Sequence, residues 1–87
     1  MQETMISVKQ VCNLIQLNDV INEPQYKELT VKMGPDKDYL LDVKSMLSLI
    51  SIFSHQMYMM IDGDKTEINS FIDEIESIDG VNVYMDL

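Results

Sequence analysis

Basic side chains are scarce in this sequence: six lysines stand against fifteen aspartates and glutamates, a net charge of −9 over 87 residues. Such a surface repels nucleic-acid phosphates and anionic lipid, so neither is expected as a partner. The acidity serves solubility, or steers a basic protein towards the chain. A lone cysteine, Cys12, cannot close an internal disulfide, which agrees with a reducing compartment. No apolar run approaches the roughly 18–20 residues that span a bilayer. Met1-Gln2-Glu3-Thr4 has no basic n-region of a signal peptide, so a cytoplasmic location is expected. There is no Gly-rich phosphate loop, no Cys/His metal spacing and no nucleophile elbow. Asp36/Asp38 and Asp62/Asp64 flank turns without the full oxygen-ligand loop of an EF-hand. No enzyme, no cofactor and no metal are therefore expected.

What is present is an apolar content of 46%, enough for one folded domain over residues 1–87. A chain of this size buries about 60–65% of its unfolded surface. Gln2 to Ile6 is left for a short first strand. Ser7-Val8-Lys9-Gln10 has the form of a capping box, with Ile6 and Val11 as its hydrophobic staple. Val8, Val11, Cys12 and Ile15 then follow helical spacing, widened by Leu14 and Leu17, and this face is expected to bury Cys12. Leu29, Val31 and Met33 alternate with polar residues, and after the turn cluster Gly34–Asp38 Tyr39, Leu41 and Val43 alternate with Leu40 and Asp42 as the partner strand of a hairpin. Ser45 sits where an N-cap belongs, before a short helix carrying Leu49, Ile52 and Phe53. Met57, Met59 and Ile61 mark a further strand. Ile68, Phe71, Ile72, Ile75 and Ile78 form the stripe of a last helix over Lys65–Ile78, which Asp79-Gly80 stops. Val81 to Met85 can add a final strand. One-striped helices must cover one face of an antiparallel sheet, so the expected class is an α+β open-faced sandwich, ordered β-α-β-β-α-β-α with an extra C-terminal strand.

The join Asp42-Val43-Lys44-Ser45-Met46-Leu47, the loop to the next strand, Asp62-Gly63-Asp64 and the last helix share an order and spacing. From about Leu29 to Ile78 they resemble the HPr family, the histidine phosphocarriers of the bacterial sugar phosphotransferase system. The resemblance implies a phosphoryl-accepting histidine at the start of the first helix and an arginine two residues on. Helix N–H groups and a guanidinium would there stabilise the anion. This chain has Ser7 and Lys9 at those positions. A serine cannot replace imidazole as a reversible carrier without activation. His55, the only histidine, falls in the loop before the Met57 strand and reads as a surface residue.

Lys44-Ser45 matches the serine that a dedicated kinase phosphorylates in Gram-positive members of that family, although Ser48 stands where a glycine often follows. Ser45 is thus a candidate regulatory site, because phosphate is favoured at a helix N-cap. In that family the following helix and the start of the first helix dock partner proteins. Met46, Leu47 and Ile50 are the corresponding candidates, and phosphotransferase enzymes or a regulator the corresponding partners. The expected function is a protein-binding or regulatory module without the carrier histidine, as a monomer or weak dimer. The alternative is an ACT-like or ferredoxin-like small-ligand domain, which Ile78-Asp79-Gly80-Val81-Asn82-Val83 resembles in its closing helix–strand join.

Overall fold

The computed structural model describes residues 2–45, 50–51 and 53–84. Among them are β1 (Gln2–Val8), α1 (Val11–Ile21), β2 (Thr30–Asp36), β3 (Tyr39–Asp42), β4 (Gln56–Asp62), α2 (Lys65–Glu76) and β5 (Val81–Tyr84), with a 3₁₀ turn at Pro24–Tyr26. The strands form one open sheet in the order β3-β2-β4-β1-β5, every neighbouring pair antiparallel. The class is α+β, as expected, with one face of the sheet packed beneath α1 and α2. No helix among the described residues is long and apolar enough to cross a membrane.

Period two decides which side chains enter the core. Ile6 and Val8 of β1, Val31 and Met33 of β2, Met57, Met59 and Ile61 of β4, and Val81 and Val83 of β5 are buried on the helix side. They join Leu14, Leu17 and Ile21 of α1 and Ile68, Phe71, Ile72 and Ile75 of α2 in one cluster. Each fully buried side chain of this size contributes about 1.5–3 kcal/mol over its exposed state. Tyr26 closes the core below α2, its ring edge-on to Phe71 at 5.5 Å between centroids. Its hydroxyl lies 3.0 Å from Ser70 Oγ and donates to Glu74 Oε1 at 2.9 Å.

The first boundary differs from expectation. Ser7 is not an N-cap: β1 continues through it to Val8, in register with Gln56 on β4 and Asn82 on β5. Ile6-Ser7-Val8 fits the strand period as well as the helical one, and a strand flanked by two others gains a ladder on both sides. The helix begins three residues later. Its buried face is Asn13, Leu14, Leu17, Val20 and Ile21, whereas Val11 and Ile15 are 39% and 44% exposed. Cys12, expected in the core, is exposed, because it lies across the helix from the buried stripe of Leu14, Leu17 and Ile21.

The other departures are smaller. β2 runs on through Gly34 and Pro35, with the register broken between Met33 and Asp36. A Cβ on Gly34 would lie 1.7 Å from the Tyr39 carbonyl oxygen, so this hairpin requires glycine there. Tyr39, at the start of β3, is 51% exposed. α2 ends at Glu76, and Ile78 packs against the core from beyond the helix. Of the short helix expected after Ser45, Ile50 and Ser51 are helical; Met46, Leu47, Leu49 and Ile52 lie outside the described residues.

Candidate functional site

Two surfaces carry the candidate residues. The first is the start of α1. Val8 donates its N–H to the His55 carbonyl oxygen at 2.9 Å on the β4 side, and Lys9 donates to the Gly80 carbonyl oxygen at 2.9 Å on the β5 side. The chain leaves the sheet between these two clamps. Gln10 is extended (φ −142°, ψ 157°) and occupies the N-cap. Its N–H donates to Asn13 Oδ1 at 2.9 Å, the returning half of a capping box. Asn13 is only 3% exposed and is fully partnered, its Nδ2 donating to the Asp79 carbonyl oxygen at 3.0 Å and to Gln16 Oε1 at 2.9 Å. The amide therefore ties the first turn of α1 to the turn between α2 and β5. Gly80 serves that contact: its φ is +99°, and a Cβ there would meet Asn13 Oδ1 at 2.9 Å.

Around this joint Lys9, Gln10, Cys12, Asn13, Gln16 and Asp79 line a polar cleft of about 250 Å³. Lys9 is the cation of the cleft and Asp79 the anion. No histidine is among the lining residues. His55 lies beside Val8 instead, its Nδ1 3.2 Å from the Val8 carbonyl oxygen and its ring edge-on to Phe53 at 5.2 Å. A carbonyl only accepts, so Nδ1 is the donor in this contact. Forty-seven residues separate Val8 from His55, which hides their proximity from any local pattern. Ser7 does not reach the cleft: it lies on the sheet face opposite the helices, in the row of Gln56 and Asn82.

The second surface is the turn after β3. Asp42 organises it twice, through its carboxylate to the Lys44 N–H at 2.9 Å and through its carbonyl to the Ser45 N–H at 2.9 Å. Val43 is buried and held by the Val31 carbonyl oxygen at 2.9 Å, and its own carbonyl accepts from Asn18 Nδ2 at 3.0 Å. Ser45 is thus exposed on a turn fastened to the far half of α1. Asn18 is seven residues beyond Val11, about 10 Å along α1, so the Ser45 turn is fastened away from the start of the helix. Ile50 is 37% exposed. The segment from Val43 to His55 begins at one end of α1 and returns at the other, and Ile50 belongs to it.

Among the described residues no group of three His, Cys, Asp or Glu side chains could hold a metal ion. Sequence reasoning missed the Gln10–Asn13–Asp79–Gly80 joint. Its one local signal is the Gln10-x-x-Asn13 spacing, which competes with Ser7-x-x-Gln10 for the same helix start. No protein-family model matches the chain, and no solved structure matches it significantly.

Proposed function

We propose that the chain is an HPr-like protein-binding module of the phosphotransferase type, which regulates partners rather than carrying phosphate on histidine. The observation that carries this reading is the pairing of an exposed Ser45, on an ordered turn after Lys44, with an exposed Ile50 five residues on. Met46 and Leu47, outside the described residues, complete the proposed docking surface. The element order and the one-sided helix layer support the same reading. At the start of α1 stand Lys9 and Gln10, with no imidazole at the cleft to accept a phosphoryl group. Phosphate on Ser45 adds about −1.5 to −2 charges beside Asp42, enough to disfavour an acidic partner and favour a basic one.

Intact mass after incubation in bacterial lysate separates the cases. Phosphate gained with ATP and lost in Ser45→Ala supports regulation. Phosphate gained from phosphoenolpyruvate overturns it in favour of a carrier role for His55. Leu47→Asp, with folding checked by circular dichroism, should abolish capture of phosphotransferase partners.

The cleft favours a second reading, a small-ligand domain of the ACT-like or ferredoxin-like kind. Its volume suits an amino-acid-sized molecule, and Lys9 and Asp79 could pair with the carboxylate and ammonium of one. A thermal-shift screen with free amino acids that moves the parent but not Lys9→Ala would support it.

A further inference from the structure

The face of the sheet away from the helices is organised in rows by the strand register. Gly34, Tyr58, Met5 and Tyr84 lie side by side across β2, β4, β1 and β5. The next row towards one end of the sheet is Asp42, Lys32, Met60 and Glu3, across β3, β2, β4 and β1. The row on the other side, Gln56, Ser7 and Asn82, is polar and uncharged. Met5, Tyr58 and Met60 are partly exposed, and Tyr84 is 47% exposed. The water-facing side of an antiparallel sheet normally alternates to polar residues. Here its centre, Tyr58, Met5 and Tyr84, is apolar and aromatic across three strands, roughly 10 Å. Contiguous apolar surface of this kind marks an interaction site, and methionine lets such a surface adapt to its partner.

We propose that this open face is a second docking surface, and that its occupant is a cationic protein segment that lays large apolar side chains along the Tyr58–Met5–Tyr84 row. Charge decides the occupant. The row flanking the apolar one carries Asp42 and Glu3 against Lys32, Asp62 lies one position further on, and the whole chain is at −9. A second copy would bring like-charged rows and two such net charges together, which repels. Nucleic acid is repelled more strongly still, although two tyrosines on a sheet would otherwise offer a stacking platform. Lysine or arginine beside apolar anchors satisfies both rows at once. Its anchors Tyr58, Met5 and Tyr84 are not among the residues of the surface around Ser45 and Ile50, although Asp42 borders both.

The methionine methyl groups report the answer by NMR. Met5 and Met60 are on the open face, whereas Met33, Met57 and Met59 are beneath the helices. A peptide of alternating lysine and leucine should shift the Met5 and Met60 methyls and leave the other three in place. A lysine/serine peptide and a glutamate/leucine peptide should not, because each lacks one half of the match. Met5→Lys should weaken binding about tenfold or more. Asp73→Lys, on the exposed side of α2, should leave it within about twofold. Tyr84→Lys serves the same purpose as Met5→Lys at an already half-exposed position, should Met5→Lys fail to fold. The proposal is overturned by no shift with the lysine/leucine peptide, by equal binding of lysine/serine, by equal binding to a folded Met5→Lys or Tyr84→Lys, or by loss on Asp73→Lys. Concentration-dependent shifts at Met5 and Met60 without peptide overturn it too, in favour of a second copy.

Discussion

The two faces of the sheet are built from the same strands and the same kinds of residue, yet they do different things. On the helix side Met57 and Met59 are no more than 1% exposed and pack with Phe71 and Leu17 in one core. On the other side Met5 and Tyr58 lie in one row and Met60 in the next, on a face that α1 and α2 do not cover. Burial is therefore assigned by position in the ladder and not by residue type: Met59 and Met60 are adjacent in the chain and face opposite ways. The lesson is that apolar composition alone does not separate stability from recognition in a small sheet.

The largest expected effect breaks this comparison at its strongest point. Phe71 is fully buried and meets Tyr26 edge-on. Phe71→Ala should cost about 3–5 kcal/mol in urea denaturation, a large share of the stability of a domain this small. The matched change on the open face, Met60→Ala, should cost below about 1 kcal/mol. Comparable losses would mean that the open face is packed in solution against something the isolated fold does not provide.

A middle-sized effect belongs to the joint at the start of α1. Gly80→Ala forces a side chain into φ +99° and against Asn13 Oδ1, and should cost about 1–3 kcal/mol. Asn13→Ala leaves the Asp79 carbonyl oxygen and the Gln10 N–H without their partner and should cost a similar amount. Because both act on one contact, the double variant should lose less than the sum. Strict additivity would show that they act separately. Smaller again is the cap of α2. Asp64 accepts from the Thr66 and Glu67 N–H groups at 3.0 and 3.3 Å, and Asp64→Ala should cost about 1 kcal/mol by thermal denaturation.

The ease of reading these elements from sequence follows the range of the forces that fix them. β4 is legible because Met57, Met59 and Ile61 alternate without interruption, and α2 because Ile68, Phe71, Ile72 and Ile75 keep one stripe after Asp64. The start of α1 is not, because Ser7-Val8-Lys9-Gln10 satisfies a local cap as well as Gln10-Val11-Cys12-Asn13 does. What selects between them is the pair of ladders on β1, to β4 and β5, whose partners lie more than forty residues away. Those ladders put Ser7 in the sheet, while Cys12 is exposed because the buried stripe of α1 runs through Leu14, Leu17 and Ile21. The α+β class was readable; the cleft rests on Asn13 reaching Asp79 across 66 residues, and the open-face rows rest on register, neither of which any local pattern displays.

The smallest effect lies at the seam between the Pro24–Tyr26 turn and α2, and it is a dependence on pH. The Glu23 carboxyl is pushed above the usual carboxylate range, first by its hydrogen bond with Glu74, then by partial desolvation and by the Glu74 charge, while Gln25 pulls it back. Tyr26 is pushed above the usual phenol value, first by burial and then by the hydrogen bond and charge of Glu74, with Ser70 opposing. A group whose folded value is raised stabilises the fold fully below its unfolded value and loses that contribution as pH rises through the folded one. For Glu23 the loss begins near the ordinary glutamate value and proceeds in mild acid. For Tyr26 it begins near pH 10, the ordinary phenol value. The rest of the −9 surface also relaxes as carboxylates protonate, so the parent alone does not isolate the seam. The difference between parent and Glu23→Gln does, since the amide keeps a donor to Glu74 at every pH. Urea midpoints followed upward through mild acid should fall more steeply in the parent than in Glu23→Gln. Parallel curves would mean that the two carboxylates share no proton, and that Tyr26 alone holds the turn to α2 through its 2.9 Å bond to Glu74.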